Sequence, residues 1–194
     1  MISPIELAKY YIVKAYDDGK DSEITNMKIQ KLLYYSQSIY LALFDCPLFI
    51  EEIQAWKYGP VCPPAYQFYR EYEDKQLPNQ NEDLIDIPKD IQDLIDEIWQ
   101  YFGRYHAYIL SGMSHLEFPW RNARRGLNDY ESSQELITKD DMQKLGREKL
   151  SEIEKDHPLY QRSLDRILDS ELSTATTLEG NLSAGKIHDW LASL

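Results

Sequence analysis

The sequence predicts a mainly α protein: a compact multi-helix domain over residues 1–128 with a short extended segment near 48–61, then a helical C-terminal extension over 129–194. Three observations carry that prediction. Apolar residues recur every three to four positions in several stretches that open on Ser, Thr, Asn or Pro. The stretch from Leu48 to Val61 instead changes to period two and is broken by Gly59-Pro60. After Gly126 the composition turns polar, and Ser173 to Gly185 is rich in Ser, Thr and Gly, as in a linker.

Ser3-Pro4-Ile5-Glu6 opens the first helix, with Ser3 as cap, Pro4 at the first helical position and Glu6 completing a capping box. Leu7, Ala8, Tyr11, Ile12 and Ala15 then form a core stripe that ends near Asp17-Asp18-Gly19. A second helix of about five turns starts at Thr25 or Asn26 and runs through Phe44, where Asp45-Cys46-Pro47 stops it. Ile29, Leu32, Leu33, Tyr40, Leu43 and Phe44 mark its core face, while Tyr34, Gln37, Ser38 and Leu41 lie on a second face of undecided character. A helix apolar over so much of its girth is expected to be central.

In the extended segment Ile53, Ala55 and Lys57 alternate with Gln54, Trp56 and Tyr58. Pro63-Pro64 opens a third, aromatic-rich helix, and residues 75–86 read as an exposed loop. Pro88 leads into a helix whose stripe is Ile91, Leu94, Ile95, Ile98, Trp99 and Phe102, ended by Gly103. A helix from about Tyr105 to His115 follows, then a short one with Pro119 near its start, reaching Arg124. In the extension, Thr138 and Asp141 cap a helix to about Asp156 that Gly146 weakens. Pro158 restarts a helix to Leu172, and Ile187, Trp190, Leu191 and Leu194 form a short amphipathic end.

At 194 residues the chain can bury a full core, roughly 70% of its unfolded surface. No apolar run reaches the length of a membrane span, and the N-terminus lacks a basic leader and an apolar signal core, so a cytoplasmic protein is expected. The two cysteines, Cys46 and Cys62, fit a reducing compartment. A net charge of −12 opposes sequence-independent nucleic-acid binding, which rests on basic groups neutralising phosphates, and favours a protein partner. The 15 tyrosines point the same way, because Tyr combines apolar area with a polar tip.

Candidate chemistry is sparse. Cys62 and His115 can be drawn as a nucleophile and base, but their spacing gives no support, and no catalytic residue is assigned. The four histidines form no metal-ligand spacing, so no metal and no cofactor is expected, and the isolated glycines make no phosphate loop. A DNA-reading helix at Met27–Tyr35, helped by Arg121, Arg124 and Arg125, is a weaker alternative, as is an enzyme of uncharacterised activity.

Three blocks carry a resemblance: Lys28-Ile29-Gln30-Lys31-Leu32-Leu33-Tyr34-Tyr35, then Ala55-Trp56-Lys57-Tyr58-Gly59-Pro60-Val61-Cys62-Pro63, then His115-Leu116-Glu117-Phe118-Pro119-Trp120. In this order they resemble the Panacea-domain family of SocA-like, phage-associated proteins, over about residues 5–125. Cys62 and Ser111-Gly112-Met113 depart from the family pattern. The resemblance implies a non-enzymatic antitoxin that neutralises a cognate protein toxin encoded beside it by direct contact. One branch of the family looks like an adaptor delivering its toxin to a protease, which is the alternative reading.

The residues expected to meet a partner are Lys31, Tyr34, Trp56, Tyr58, Tyr66 and Trp120, with Trp56, Trp120 and Tyr34 equally readable as core aromatics. Lys31 and Lys57 are otherwise expected in solvent. Gly59, Pro60, His115 and Pro119 are assigned structural roles: Gly59 supplies a backbone conformation that a Cβ would strain, and Pro60 fixes the turn. The tail from Asp156 to Leu194 is expected to contribute to toxin choice.

Overall fold

The computed structural model describes residues 1–81, 85–128 and 131–156. The expected helix from Pro158, the 173–185 linker and the amphipathic end lie outside the described residues. Among the described residues there are seven α-helices and one two-stranded antiparallel sheet. The helices are α1 Pro4–Asp17, α2 Asn26–Phe44, α3 Pro63–Phe68, α4 Lys89–Phe102, α5 Ala107–Leu116, α6 Phe118–Ala123 and α7 Lys139–Asp156. The strands are β1 Gln54–Trp56 and β2 Gly59–Val61, paired Gln54 to Val61 and Trp56 to Gly59. The mainly α expectation therefore stands, with the extended segment reduced to a tight hairpin.

Local chemistry sets most of the boundaries. Ser3 caps α1 by accepting from Ile5 N, but Glu6 does not close the capping box; its carboxylate accepts from Lys9 Nζ instead, at 2.7 Å. Thr25 rather than Asn26 caps α2, accepting from Lys28 N, and Asp45 ends it in the left-handed conformation at φ 55°. The α1 and α4 stripes are buried as the periodicity requires.

Helix α2 is the hub, packed by α1, α4, α5, α7 and β2. Its second face is fully buried, more so than Tyr40, Leu43 and Phe44 of its first, and the Gln37 and Ser38 side chains there find partners. Ser36 and Ser38 donate back to the carbonyls of Leu32 and Tyr34. Gln37 accepts from Leu48 N and Phe49 N and donates to Phe49 O, and so holds the extended stretch that follows α2.

Helix α7 is helical as expected and capped by Thr138, which accepts from Asp141 N at 3.1 Å. It is packed on α2 rather than standing off as an appendage. Ile137, Met142, Leu145 and Ile153 join the core, and Ala55 N and Ile137 N donate to Glu135 O and Ile53 O, laying residues 135–137 beside β1. The polar composition after Gly126 concealed this because α7 makes its closest approach through Gly146: a Cβ there would collide with the Ser38 carbonyl and lie 2.8 Å from Ala42 Cβ.

Candidate partner-binding cleft

The hairpin reverses at Lys57 and Tyr58 and completes the turn at Gly59, φ +99°, a conformation only glycine adopts freely. Its backbone carbonyls are then held one by one by side chains from three helices. Arg124 Nη1 donates to Ala55 O at 3.1 Å, and Trp120 Nε1 to Trp56 O at 2.8 Å. His115 Nε2 lies 3.0 Å from Lys57 O, and because a carbonyl can only accept, that nitrogen carries the hydrogen. Ser111 Oγ donates to Tyr58 O and Lys31 Nζ to Pro60 O, each at 3.0 Å. Ser111 and His115 stand one helical turn apart, as do Trp120 and Arg124, which puts each pair on one face. The His115 and Trp120 rings meet edge to face at 4.4 Å.

The far end of the hairpin is fixed by α2. Asn26 donates to Tyr66 O at 3.1 Å and accepts from Gln30 Nε2 at 2.9 Å, while Gln30 Oε1 accepts from Cys62 N at 2.9 Å. Between the hairpin, the start of α2, α3 and the start of α5 opens a cleft of about 1110 Å³. Lys31, Trp56, Tyr58 and Tyr66 line it, and so do His106 and Tyr108. Trp56 and Tyr66 pack edge to face at 4.8 Å, and Trp56 Nε1 donates to Gln54 Oε1, which leaves Tyr58 (61% exposed) and Tyr108 (68%) as open aromatic surface.

Two of the expected partner residues are not on this surface. Tyr34 is completely buried against Tyr35, and no partner reaches it in this fold. Trp120 is buried too, as the donor to Trp56 O beneath the Arg124 guanidinium. Lys31 lines the cleft, but as a buried floor residue and not the solvated one expected, because glycine at 59 leaves room for its ammonium. Burial pushes the Lys31 ammonium down to about 7. The Arg121, Arg124, Arg125 cluster is not a basic patch, since Arg124 is buried and donates also to Asn128 O and Glu131 O.

Sequence reasoning missed Glu117. Its carboxylate accepts from Tyr35 at 3.1 Å and pairs with Lys149 at 3.3 Å, joining the α5–α6 junction to α2 and α7. Burial pushes Glu117 up to about 7, against the pull of Lys149. Burial also works against the Lys149 charge, yet Glu117 and Glu152 hold it above the ordinary lysine range. The signal available was a lone acid within His115–Trp120, but its partner lies 32 positions on.

The pair drawn for nucleophilic chemistry does not assemble a reactive centre: burial pushes the Cys62 thiol up to about 12, and the His115 ring is committed to Lys57 O. Among the described residues no three His, Cys, Asp or Glu side chains converge as metal ligands, and no helix is long and apolar enough to cross a membrane.

The clamp of carbonyls joins the same three sequence blocks that carry the family resemblance, and the family model described as "Antitoxin SocA-like, Panacea domain" matches residues 29–121. Over residues 29–121 the chain is thus similar to SocA-like Panacea domains. Antitoxin SocA of Caulobacter vibrioides (strain NA1000 / CB15N) is 30% identical over 112 residues, a match spanning 52% of this chain and 60% of that protein. No solved structure matches the chain. The matched span begins at Ile29, inside α2, and closes at Arg121, inside α6, so it contains the hairpin and four of its five clamping side chains, Arg124 lying just beyond.

Proposed function

We propose that this chain is the antitoxin of a toxin–antitoxin system and neutralises a cognate protein toxin by binding it in the cleft beside the hairpin. The observation that carries the reading is the exposed pair Tyr58 and Tyr108 on a backbone whose carbonyls are individually held. Large aromatic area on a pre-ordered support binds proteins well, because little conformational entropy is lost when it is covered. The likeness to Antitoxin SocA supplies the biological setting. No catalysis is needed: occupying the toxin's surface is sufficient.

The test is co-expression with the adjacent gene. The unaltered chain restores growth to cells made sick by that gene product, and the double variant Tyr58→Ala/Tyr108→Ala does not, although its circular dichroism and urea midpoint match those of the parent. A double variant that rescues fully, or a harmless neighbour, would overturn the reading.

A further inference from the structure

Among the described residues three lysines are buried, and Lys31 differs from the other two. Lys28 pairs with Glu23 at 3.3 Å, and Lys149 with Glu117 and Glu152 at 3.3 and 2.9 Å. Lys31, 1% exposed, has one hydrogen bond among the described residues, to Pro60 O, and no carboxylate. An ammonium withdrawn from water without a counter-charge is unfavourable unless it is neutralised or a charge is brought to it.

Its position says which. Lys31 is on the floor of the cleft, and the walls around it favour an anion. The first turn of α2 contributes Asn26 and Met27, contains no acidic residue and presents the positive end of a 19-residue helix. The Pro60 carbonyl accepts from the ammonium, and the Gly59 backbone, bare of a Cβ, lies beside it. The other charged or titratable groups that line the cleft are Lys57, Tyr58, Tyr66, Arg70, Glu73, Asp74, His106 and Tyr108. Lys31, Lys57 and Arg70 thus outnumber the carboxylates of Glu73 and Asp74 along the cleft, in a chain of net charge −12.

We propose that Lys31 is the receptor for an acidic side chain of the bound toxin, an aspartate or glutamate that enters the cleft between the exposed aromatics and supplies the carboxylate this lysine lacks. The inference rests on the cleft being the toxin-binding surface. A slender carboxylate fits because so little of Lys31 is reachable, and a nucleic-acid backbone is repelled by the net negative charge of the rest of the molecule. Because burial leaves Lys31 partly neutral at neutral pH, arrival of the carboxylate draws a proton onto the amine.

The experiment is calorimetry of the chain with the adjacent gene's product, in buffers of different ionisation enthalpy, at pH 6 to 9. The expected result is uptake of close to one proton per complex at pH 8, an affinity that falls about tenfold per pH unit above 7, and loss of both effects in Lys31→Met with at least ~30-fold weaker binding at pH 7. Equal proton uptake and affinity in Lys31→Met overturns the inference. If Tyr58→Ala/Tyr108→Ala weakens binding while Lys31→Met does not, the cleft reading stands and this one falls; if neither does, both fall. Trimming the toxin's C-terminal residue leaves affinity unchanged, and a loss there would reassign the site to a chain-end carboxylate and refute the side-chain assignment. Independently of Lys31→Met folding, sodium acetate added to lysine-labelled parent protein moves the Lys31 side-chain resonances saturably toward the ammonium position, and sodium chloride does not; the same response to both salts overturns the proposal.

Discussion

A methyl group added at Gly59 would lie 2.7 Å from both Lys31 Nζ and Ser114 Oγ, on a backbone already at φ +99°. Both effects act against a side chain, so Gly59→Ala is expected to destabilise the protein by about 2–3 kcal/mol, read as a lowered urea midpoint. This role was legible in the sequence from the Gly-Pro pair alone. The place of Lys31 was not, because a lysine's long flexible stem makes solvent the default, and its burial depends on glycine standing 28 positions later. Its titration gives a second prediction. Between about pH 7 and 9.5 the unfolded chain keeps the Lys31 proton that the folded chain has lost, so stability rises with pH, by at most about 1.4 kcal/mol per unit. Glu117 works in the opposite sense: between 4.5 and about 7 the folded chain holds a proton that the unfolded chain releases, and its contribution is lost as pH rises. Urea midpoints of Lys31→Met should lose the upper slope and those of Glu117→Gln the lower one; unchanged slopes would show that these groups are not buried as described.

At the scale of helices, two glycines make opposite predictions. Gly112 sits exposed within α5 with open space where a Cβ would go, so Gly112→Ala is expected to stabilise by about 0.5–1 kcal/mol through helix propensity. Gly146 sits within α7 facing Ser38 and Ala42 of α2, so the same substitution there is expected to destabilise by about 2 kcal/mol or more despite the same propensity gain. Paired chemical denaturation checks the signs. The helices themselves were largely readable, since Ser3, Thr25 and Thr138 all act as caps. The docking of α7 was not. A sequence search for core looks for apolar periodicity, and this contact is made by a glycine letting two backbones close, with few large apolar residues to announce it. Gly146 read as a flaw in a helix when it is the condition for the helix to pack.

Across the whole molecule, the three sequence blocks are one structure: α2 supplies Lys31, α5 Ser111 and His115, and the α6 segment Trp120 and Arg124, all to a hairpin between them in the chain. Their order was visible in the sequence, but their purpose was not, because a side chain donating to a backbone carbonyl leaves no pattern at the acceptor: any residue has that carbonyl. The same integration sets the limit of the fold. A chain ending at residue 128 loses Ile137, Met142, Leu145 and Ile153 from the core, uncovers the α7 face of α2, and removes Lys149 from a buried Glu117. It is expected to be insoluble or to unfold without a cooperative transition. A chain ending at residue 156 retains every described core residue and the entire cleft lining, and is expected to keep the parent urea midpoint. Because the two truncations separate folding from recognition, the longer one also weighs the tail against the cleft: rescue retained confines toxin recognition to the cleft, while rescue lost at an unchanged midpoint assigns part of toxin choice to residues 157–194.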